Sequence, residues 1–558
     1  MVQWICRHPV RFGGLLAVYF LLHVLVRHHV SGALDYDESE QAFLSQYLQM
    51  GYNSQPPLYT WLQRGVFDLF GYAVLSLALL KNLFIWLTYL LVFFAVRHAT
   101  GQPILGMIAS LGMLAIPQVA WESHRDLSHT VATMFVTSLL FYCVVRMGKQ
   151  SQRSSWWYVL LGVSVGLGGL FKYNFAFVVV AILAAAISLP SFRFALLDRR
   201  ILWSVSIAAM MVLPHAIWMS ENFAIASTKT FATLSEGRSA SWLHNLGTGL
   251  LSMGGALLGC CVGPALLFGW AFGRGDEKRS SMSNSDCFAH ETRQLLERFF
   301  LTVGALLLLM VLTGRAVEFE ARWFQPFIFL LPAWLTLVYS TEVTRDEKFQ
   351  RLVMRGAGFV MVGILIAVVA RPLSASKRGK YTRLNLPYPA VSGVMKLESG
   401  VTPQFIFTRD IRDAGNLRLQ FPDAHVVCRE AMHLVDLKQV QQQMLTRESE
   451  VGQSGFRSPT VWLFTSASSI EDFNELLVWT EDGFPESDLS FTDPIELEVP
   501  YLHGKPEDRK HFWFASLQER QSGSVSSPPV VAAENHVALE PSNKQGNESD
   551  AVETSLSR

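Results

Sequence analysis

Charge is scarce in this sequence. Only 16% of its 558 residues are Asp, Glu, Lys or Arg, against 50% hydrophobic and 12% aromatic, a balance far too apolar for an ordinary soluble enzyme of this length. Neither sign of charge dominates, with 46 basic and 46 acidic side chains, so nothing points to nucleic acid as a partner. Cysteine is sparse: Cys6, Cys143, Cys260, Cys261, Cys287 and Cys428 lie scattered, mostly in or beside apolar runs. They have neither the density of a disulfide framework nor the spacing of a zinc site. The first apolar run lacks a small-residue cleavage site after it and reads as an anchored helix rather than a removed signal. No Walker pattern follows Gly162, Gly166, Gly168 and Gly169, which read instead as a helix-packing face.

What the chain has in abundance is long apolar runs, and its mean hydropathy is +0.26. A bilayer core of about 30 Å needs about 20 apolar residues per helix, and about eleven runs meet or approach that length. They lie near 12–30, 72–96, 103–120, 129–147, 156–171, 175–190, 201–219, 246–272, 299–313, 323–339 and 356–370. Basic residues such as Arg97, Arg146, Arg199, Arg200 and Arg351 gather at every second junction, which the positive-inside rule assigns to the cytoplasm. The opposite junctions, including those that carry 35–71, 121–128, 172–174 and 314–322, then face outward. Residues 1–372 form the membrane region on this reading. Residues 373–521 read as a small outer α/β domain, with strand-like Phe405-Ile406-Phe407, Val461-Trp462-Leu463-Phe464 and Phe512-Trp513-Phe514 and a helix near 471–480. Residues 522–558, rich in Ser, Pro, Asn and Glu, read as a disordered tail.

The chemistry concentrates in Leu34-Asp35-Tyr36-Asp37-Glu38-Ser39-Glu40. Four carboxylates directly after a membrane span sit at a low-dielectric boundary where unpaired charge is costly. A solvated acidic loop whose Asp37 caps a helix explains the spacing equally well. The segment that follows, Gly51-Tyr52-Asn53-Ser54-Gln55-Pro56-Pro57-Leu58-Tyr59-Thr60-Trp61-Leu62, is harder to read as solvated loop. Its double proline fixes the backbone, and Tyr59, Trp61 and Leu62 begin an amphipathic stretch suited to the membrane interface.

These two segments together resemble the bacterial family 39/83 glycosyltransferases of the GT-C fold, relatives of protein O-mannosyltransferases and of the aminoarabinose transferase that acts on lipid A. Further matches follow in order: Arg125-Asp126-Leu127-Ser128-His129-Thr130, Gly169-Leu170-Phe171-Lys172-Tyr173, Arg322-Trp323-Phe324-Gln325-Pro326 and, in the outer domain, the helix start Asp413-Ala414-Gly415-Asn416-Leu417. The resemblance spans about residues 10–520. It implies a polytopic helical membrane protein with an outer catalytic site in the bacterial inner membrane, and an inverting transfer of sugar from a polyprenyl phosphate to a glycolipid, glycan or protein acceptor.

Within that resemblance Asp37 is the general base, with Asp35 as the alternative, and Glu38 orients the base, the acceptor or a metal. Lys172 with Tyr173, Arg315, Arg322 and Arg125 would hold the departing phosphate, where a snorkelling helix anchor is the plainer reading for each cation. Asp126, Gln55 and Glu320 would position sugar or acceptor, although Asp126 beside Arg125 and Glu320 beside Arg322 also read as simple ion pairs. No motif demands a cofactor, while His124 and His129 about Asp126 leave room for a divalent metal. Aminoarabinose-type members carry Lys immediately before the double proline, where this chain has Gln55; this implies another donor sugar, such as a hexose or a uronic acid. A secondary transporter or lipid flippase is the competing reading, and a non-catalytic scaffold the third. A transporter calls for paired repeats and midplane polar groups, and neither is evident in the sequence.

Overall fold

Backbone polar groups in lipid must be satisfied within their own segment, so apolar runs of this length become helices. The computed structural model describes residues 9–149, 154–272, 284–435, 438–444, 460–467, 469–483 and 491–517; the tail expected at 522–558 lies outside them. Among the described residues seven helices are long and apolar enough to cross a membrane: Pro9–Val30, Val74–Thr100, Ser128–Gly148, Ile201–Glu221, Trp242–Phe272, Cys287–Leu312 and Glu347–Leu373. Ser155–Phe171 is a shorter apolar helix.

The remaining three runs end in sharp bends, inside 103–120 and 323–339, which the sequence suggests as continuous, and at the close of 175–190, where the sequence ends the run. Pro103–Ala115 bends 84° into Gln118–Arg125, Phe175–Ile187 bends 116° into Pro190–Leu196, and Ala321–Ile328 bends 43° into Leu331–Val338. Pro117 lies in the first break, Pro190 opens the helix after the second, and Pro332 sits in the first turn of the helix after the third. Each lacks an N–H and disfavours a helical residue before it. The first break carries a π-helical turn at Gln118–Glu122, and it aims the chain at the acidic loop.

Leu15, Leu202, Trp270 and Phe359 stay 52–83% exposed on the helix exteriors, as side chains facing lipid should. The interior is one large apolar cluster that includes Phe93, Phe141, Phe171 and Phe329. Gly162 lies so close to the backbone of Ser204 that a Cβ would come within 2.6 Å of its carbonyl oxygen. This lets Ser155–Phe171 and Ile201–Glu221 pack backbone to backbone.

The C-terminal region holds a five-stranded sheet in the order β2-β1-β3-β5-β4, with β1 Phe405–Thr408, β2 His425–Cys428, β3 Val461–Thr465, β4 Ile495–Pro500 and β5 Arg509–Ser516. β1 pairs in parallel with β2 and β3, and β5 runs antiparallel to both β3 and β4. Strands β1, β3 and β5 are those the apolar runs indicate. β2 and β4 are missed, the latter because its burial alternates along Glu496 and Glu498. The matched helix spans Ile411–Gln420, its start set by Asp410, whose side chain accepts from the Asp413 N–H.

That helix lies against the acidic segment. A Cβ on Gly415 would sit 2.0 Å from the Ser39 carbonyl oxygen, so no larger residue fits there. Asn416 accepts from the Leu34 N–H at 2.9 Å and donates to Ser39 Oγ at 3.2 Å. The sheet region thus braces the loop that holds the carboxylates.

Candidate active site

Asp35 starts the acidic helix, Tyr36–Leu44, as its N-cap. A capping box ties the Asp35 side chain to the first turn and Glu38 back to the Asp35 N–H, satisfying two otherwise orphaned donors. Asp35 Oδ1 also accepts from Arg383 at 2.8 Å. Glu38 is sealed in: Arg27 reaches its carboxylate at 2.5 and 3.1 Å, and Lys81 lies 3.7 Å away. Burial raises the Glu38 carboxyl, but the charges of Arg27 and Lys81 outweigh it and hold the group at about 2. Asp35 and Glu38 therefore hold the helix rigidly, and Asp37 between them is left half-buried.

Asp37 and Asp126 form a reciprocal clasp. The Asp37 N–H donates to Asp126 Oδ1 at 3.1 Å, and the Ser128 N–H donates to Asp37 Oδ2 at 2.9 Å. Between Asp126 and Ser128, Leu127 adopts φ 72°, ψ 42°. A non-glycine residue there costs about 1–3 kcal/mol and persists where its surroundings dictate it. Burial first, then the charges of Asp37 and Asp35, push the Asp126 carboxyl well up.

Lys172, directly after the Ser155–Phe171 helix, donates to Thr130 Oγ1 at 2.6 Å. Its electrostatic neighbours are Arg322, Asp37 and Glu320; burial and Arg322 lower its ammonium to about 8, with Asp37 and Glu320 opposing. Arg322 forks onto the Glu320 carboxylate and lies within electrostatic reach of Asp37 and Asp126. Asp37, Asp126, Lys172, Arg322 and Glu320 thus gather at one end of the bundle. Tyr173 stacks on His215 (centroids 5.8 Å, 13°), which stacks on Trp218 (5.7 Å, 17°) and bonds to the Met50 carbonyl at 2.6 Å. This ties the segment leading to the double proline to the same end.

The other candidates have other partners. Arg315 is exposed, with its backbone N–H turned to Thr313. Arg125 pairs with Glu122 at 3.4 Å and has Arg371 as a charged neighbour. Gln55 sits in the turn capped by Asn53, which donates to Glu40 at 2.7 Å. The two histidines about Asp126 diverge. His129 spends its ring nitrogens on Gln41 and the Phe171 carbonyl, whereas His124 stacks on His23. Among the described residues the group with metal-holding geometry is instead Glu496, Glu498 and His511, on the sheet.

Arg27, Lys81 and Arg383 are the partners missed from sequence. Lys81 carried a signal, a lysine within an apolar span being a marked residue by default. Arg383 lies 348 positions from Asp35 and carried none.

Glu40 supplies a pH test of this region. Burial, then the charge of Asp37, raises it from 4.5 to about 7, against Lys229 and Asn53. A carboxyl raised in the folded state contributes stability below its unfolded value and loses it as pH rises through the folded one. The melting temperature in detergent should therefore fall between about pH 5 and 8, and Glu40→Gln, which keeps an acceptor for Asn53, should flatten that fall. An unchanged slope in the variant would show that Glu40 titrates normally.

Residues 54–218 match the dolichyl-phosphate-mannose-protein mannosyltransferase family. The chain is 32% identical to the lipopolysaccharide core galacturonosyltransferase RgtB of Rhizobium johnstonii over 91% of its own length and 97% of that protein's. It is also 32% identical to RgtA, a second such transferase of that organism, over 74% of this chain and 81% of the relative. In structure it is similar to ArnT from Cupriavidus metallidurans bound to undecaprenyl phosphate, with a TM-score of 0.52 at 13% identity, covering 92% of this chain and 98% of that one; this likeness bears on the fold. Taken together, the near full-length match to RgtB and the shared helical fold mean that the chain belongs to the bacterial GT-C glycosyltransferases of the family 39/83 type and is a multi-pass membrane enzyme.

Proposed function

We propose that the chain transfers a uronic acid from a polyprenyl-phosphate donor to a glycolipid of the lipopolysaccharide core or lipid A class, at the periplasmic face of the inner membrane. The observation that carries this reading is the meeting of the Asp37–Asp126 clasp with Lys172 and Arg322 at one end of the bundle. The uronosyl class is suggested by relatives named as galacturonosyltransferases. Family membership sets aside the transporter and scaffold alternatives.

In this mechanism an acceptor hydroxyl oxygen attacks the anomeric carbon from the face opposite the phosphate. The carbon–oxygen bond to phosphate breaks, and the lipid phosphate leaves with the electron pair. The hydroxyl proton passes to Asp37. Lys172 and Arg322 meet the charge that grows on the departing phosphate oxygen. Asp126 holds the Asp37 backbone in place, and Glu38 fixes the helix from its buried side.

Two measurements test the reading. Purified protein in nanodiscs should consume radiolabelled polyprenyl-phosphate uronate in the presence of core glycolipid, and a strain without the protein should lack one uronic acid in its core or lipid A mass spectrum. Intact lipopolysaccharide in that strain, with no donor consumption in vitro, would refute it. Lys172 adds a signature: with its ammonium lowered to about 8, the charge on which the phosphate depends is lost as pH rises through that value. KM for the donor should climb above pH 8 in the native enzyme. Lys172→Gln should raise KM about 10- to 100-fold, the worth of a hydrogen bond to a charged group, and abolish that climb.

A further inference from the structure

A second polar group lies beside the carboxylate clasp, and the mechanism above leaves it unused. It is built from the Pro9–Val30 and Val74–Thr100 helices and the short Ser123–Arg125 turn. Tyr19 meets His23 edge-on, one helical turn apart, with centroids at 4.7 Å. His23 stacks face to face on His124 at 3.8 Å and 13°. Lys81 is close enough to act electrostatically on His23, on His124 and on Asp126.

Tyr19, His23 and Lys81 are buried, at 6%, 3% and 3% exposed, and His124 is half-buried. Yet among the described residues Tyr19 Oη, His23 Nε2, His124 Nδ1 and Lys81 Nζ have no hydrogen-bond partner. Lys81 lies 3.7 Å from Glu38, beyond hydrogen-bond reach, and that carboxylate is already gripped by Arg27 and the Asp35 N–H. Buried polar atoms are nearly always satisfied, so four neighbouring orphans call for a missing partner. An ammonium can only donate, and a phenol and imidazoles can each supply a donor. The partner that suits them is an anionic acceptor.

A polyprenyl-phosphate uronate carries two separate anions, the phosphodiester and the sugar carboxylate. The site has two basic positions to match: Lys172 and Arg322 by Asp37, and Lys81, with the two imidazoles as hydrogen-bond donors beside it, by Asp126. We propose that Lys81, His23, His124 and Tyr19 form the subsite that receives the carboxylate of the uronosyl group. This rests on the uronosyl reading above and extends it to the residues that select the sugar. A neutral hexose would leave the same donors buried and unpaired, and such a site rejects the analogue that lacks the matching group.

The test uses full-length protein in nanodiscs with two probes, undecaprenyl-phosphate galacturonate and undecaprenyl-phosphate galactose. Native protein should bind the uronate about 10- to 100-fold more tightly, and Lys81→Met should cut that ratio about tenfold or more. Lys81→Met removes a buried partner of Glu38, so Tyr19→Phe is the second variant. The Tyr19 hydroxyl has no hydrogen-bond partner among the described residues, and its loss should leave the melting temperature at or above the native value while still lowering the ratio. If the native protein binds neither probe, or both equally, the uronosyl reading and this subsite fall together. If the native protein prefers the uronate and both variants, folded, prefer it as strongly, the subsite alone is overturned.

Discussion

Asp37→Asn should lower turnover about 10²–10⁴-fold, the usual worth of a positioned general base, while donor binding and folding survive. The argument rests on what the substitution leaves alone. Asp37 accepts the Ser128 N–H through Oδ2, and its own N–H reaches Asp126; an asparagine oxygen can accept the first bond, and the second is made by backbone. Geometry is retained and only the capacity to take a proton is lost. Asp35→Asn should behave differently, because Asp35 is spent on the helix cap and on Arg383; its loss should appear in stability before it appears in kcat. The measurement is single-turnover transfer beside donor binding on the same preparations. Turnover of Asp37→Asn within threefold of native would remove Asp37 from the base role.

The sequence shows the membrane fold because lipid imposes a length and an apolar composition that few other contexts demand. It shows the end of the run at Pro190 but not the breaks inside 103–120 and 323–339, since a proline such as Pro117 or Pro332 interrupts a helix only when no neighbouring packing rescues the freed backbone groups. Within the site, the carboxylate loop is legible because unpaired charge at a membrane edge is expensive. The sorting of its members is not. Asp37 and Glu38 are adjacent in sequence, yet one is half-buried against Asp126 and the other is enclosed by Arg27 and Lys81. That difference arises from which side of a capped helix each faces, and from partners 11 to 89 positions away. Lys172 and Arg322 were readable as cations at a membrane edge. Arg315 and Arg125 were equally readable, and only tertiary placement separates the two that neighbour Asp37 from the exposed Arg315 and the Glu122-paired Arg125.

Glu38→Gln should destabilise the protein by about 3–5 kcal/mol, the cost of breaking a buried pair from one side. Glu38 is 2% exposed and Lys81 3%, so neither can turn to water, and the substitution would leave Arg27 and Lys81 close together without the anion that separates them. Adding Lys81→Met should recover part of the loss, because among the described residues Glu38 is the ion-pair partner of Lys81. Single changes that are each costly but far from additive would mark a coupled pair. The pH dependence has a definite sign. With the folded group held at about 2 against an ordinary 4.5, its contribution is full above 4.5 and fades as pH falls toward 2. Native and Glu38→Gln unfolding curves in detergent should therefore differ most near neutral pH and converge in acid. A variant as stable as native at neutral pH would mean that the Arg27–Glu38–Lys81 cluster does not hold the acidic helix. The rigid placement of Asp37 would then have to come from its clasp with Asp126 and from the Ile411–Gln420 helix packed against Ser39.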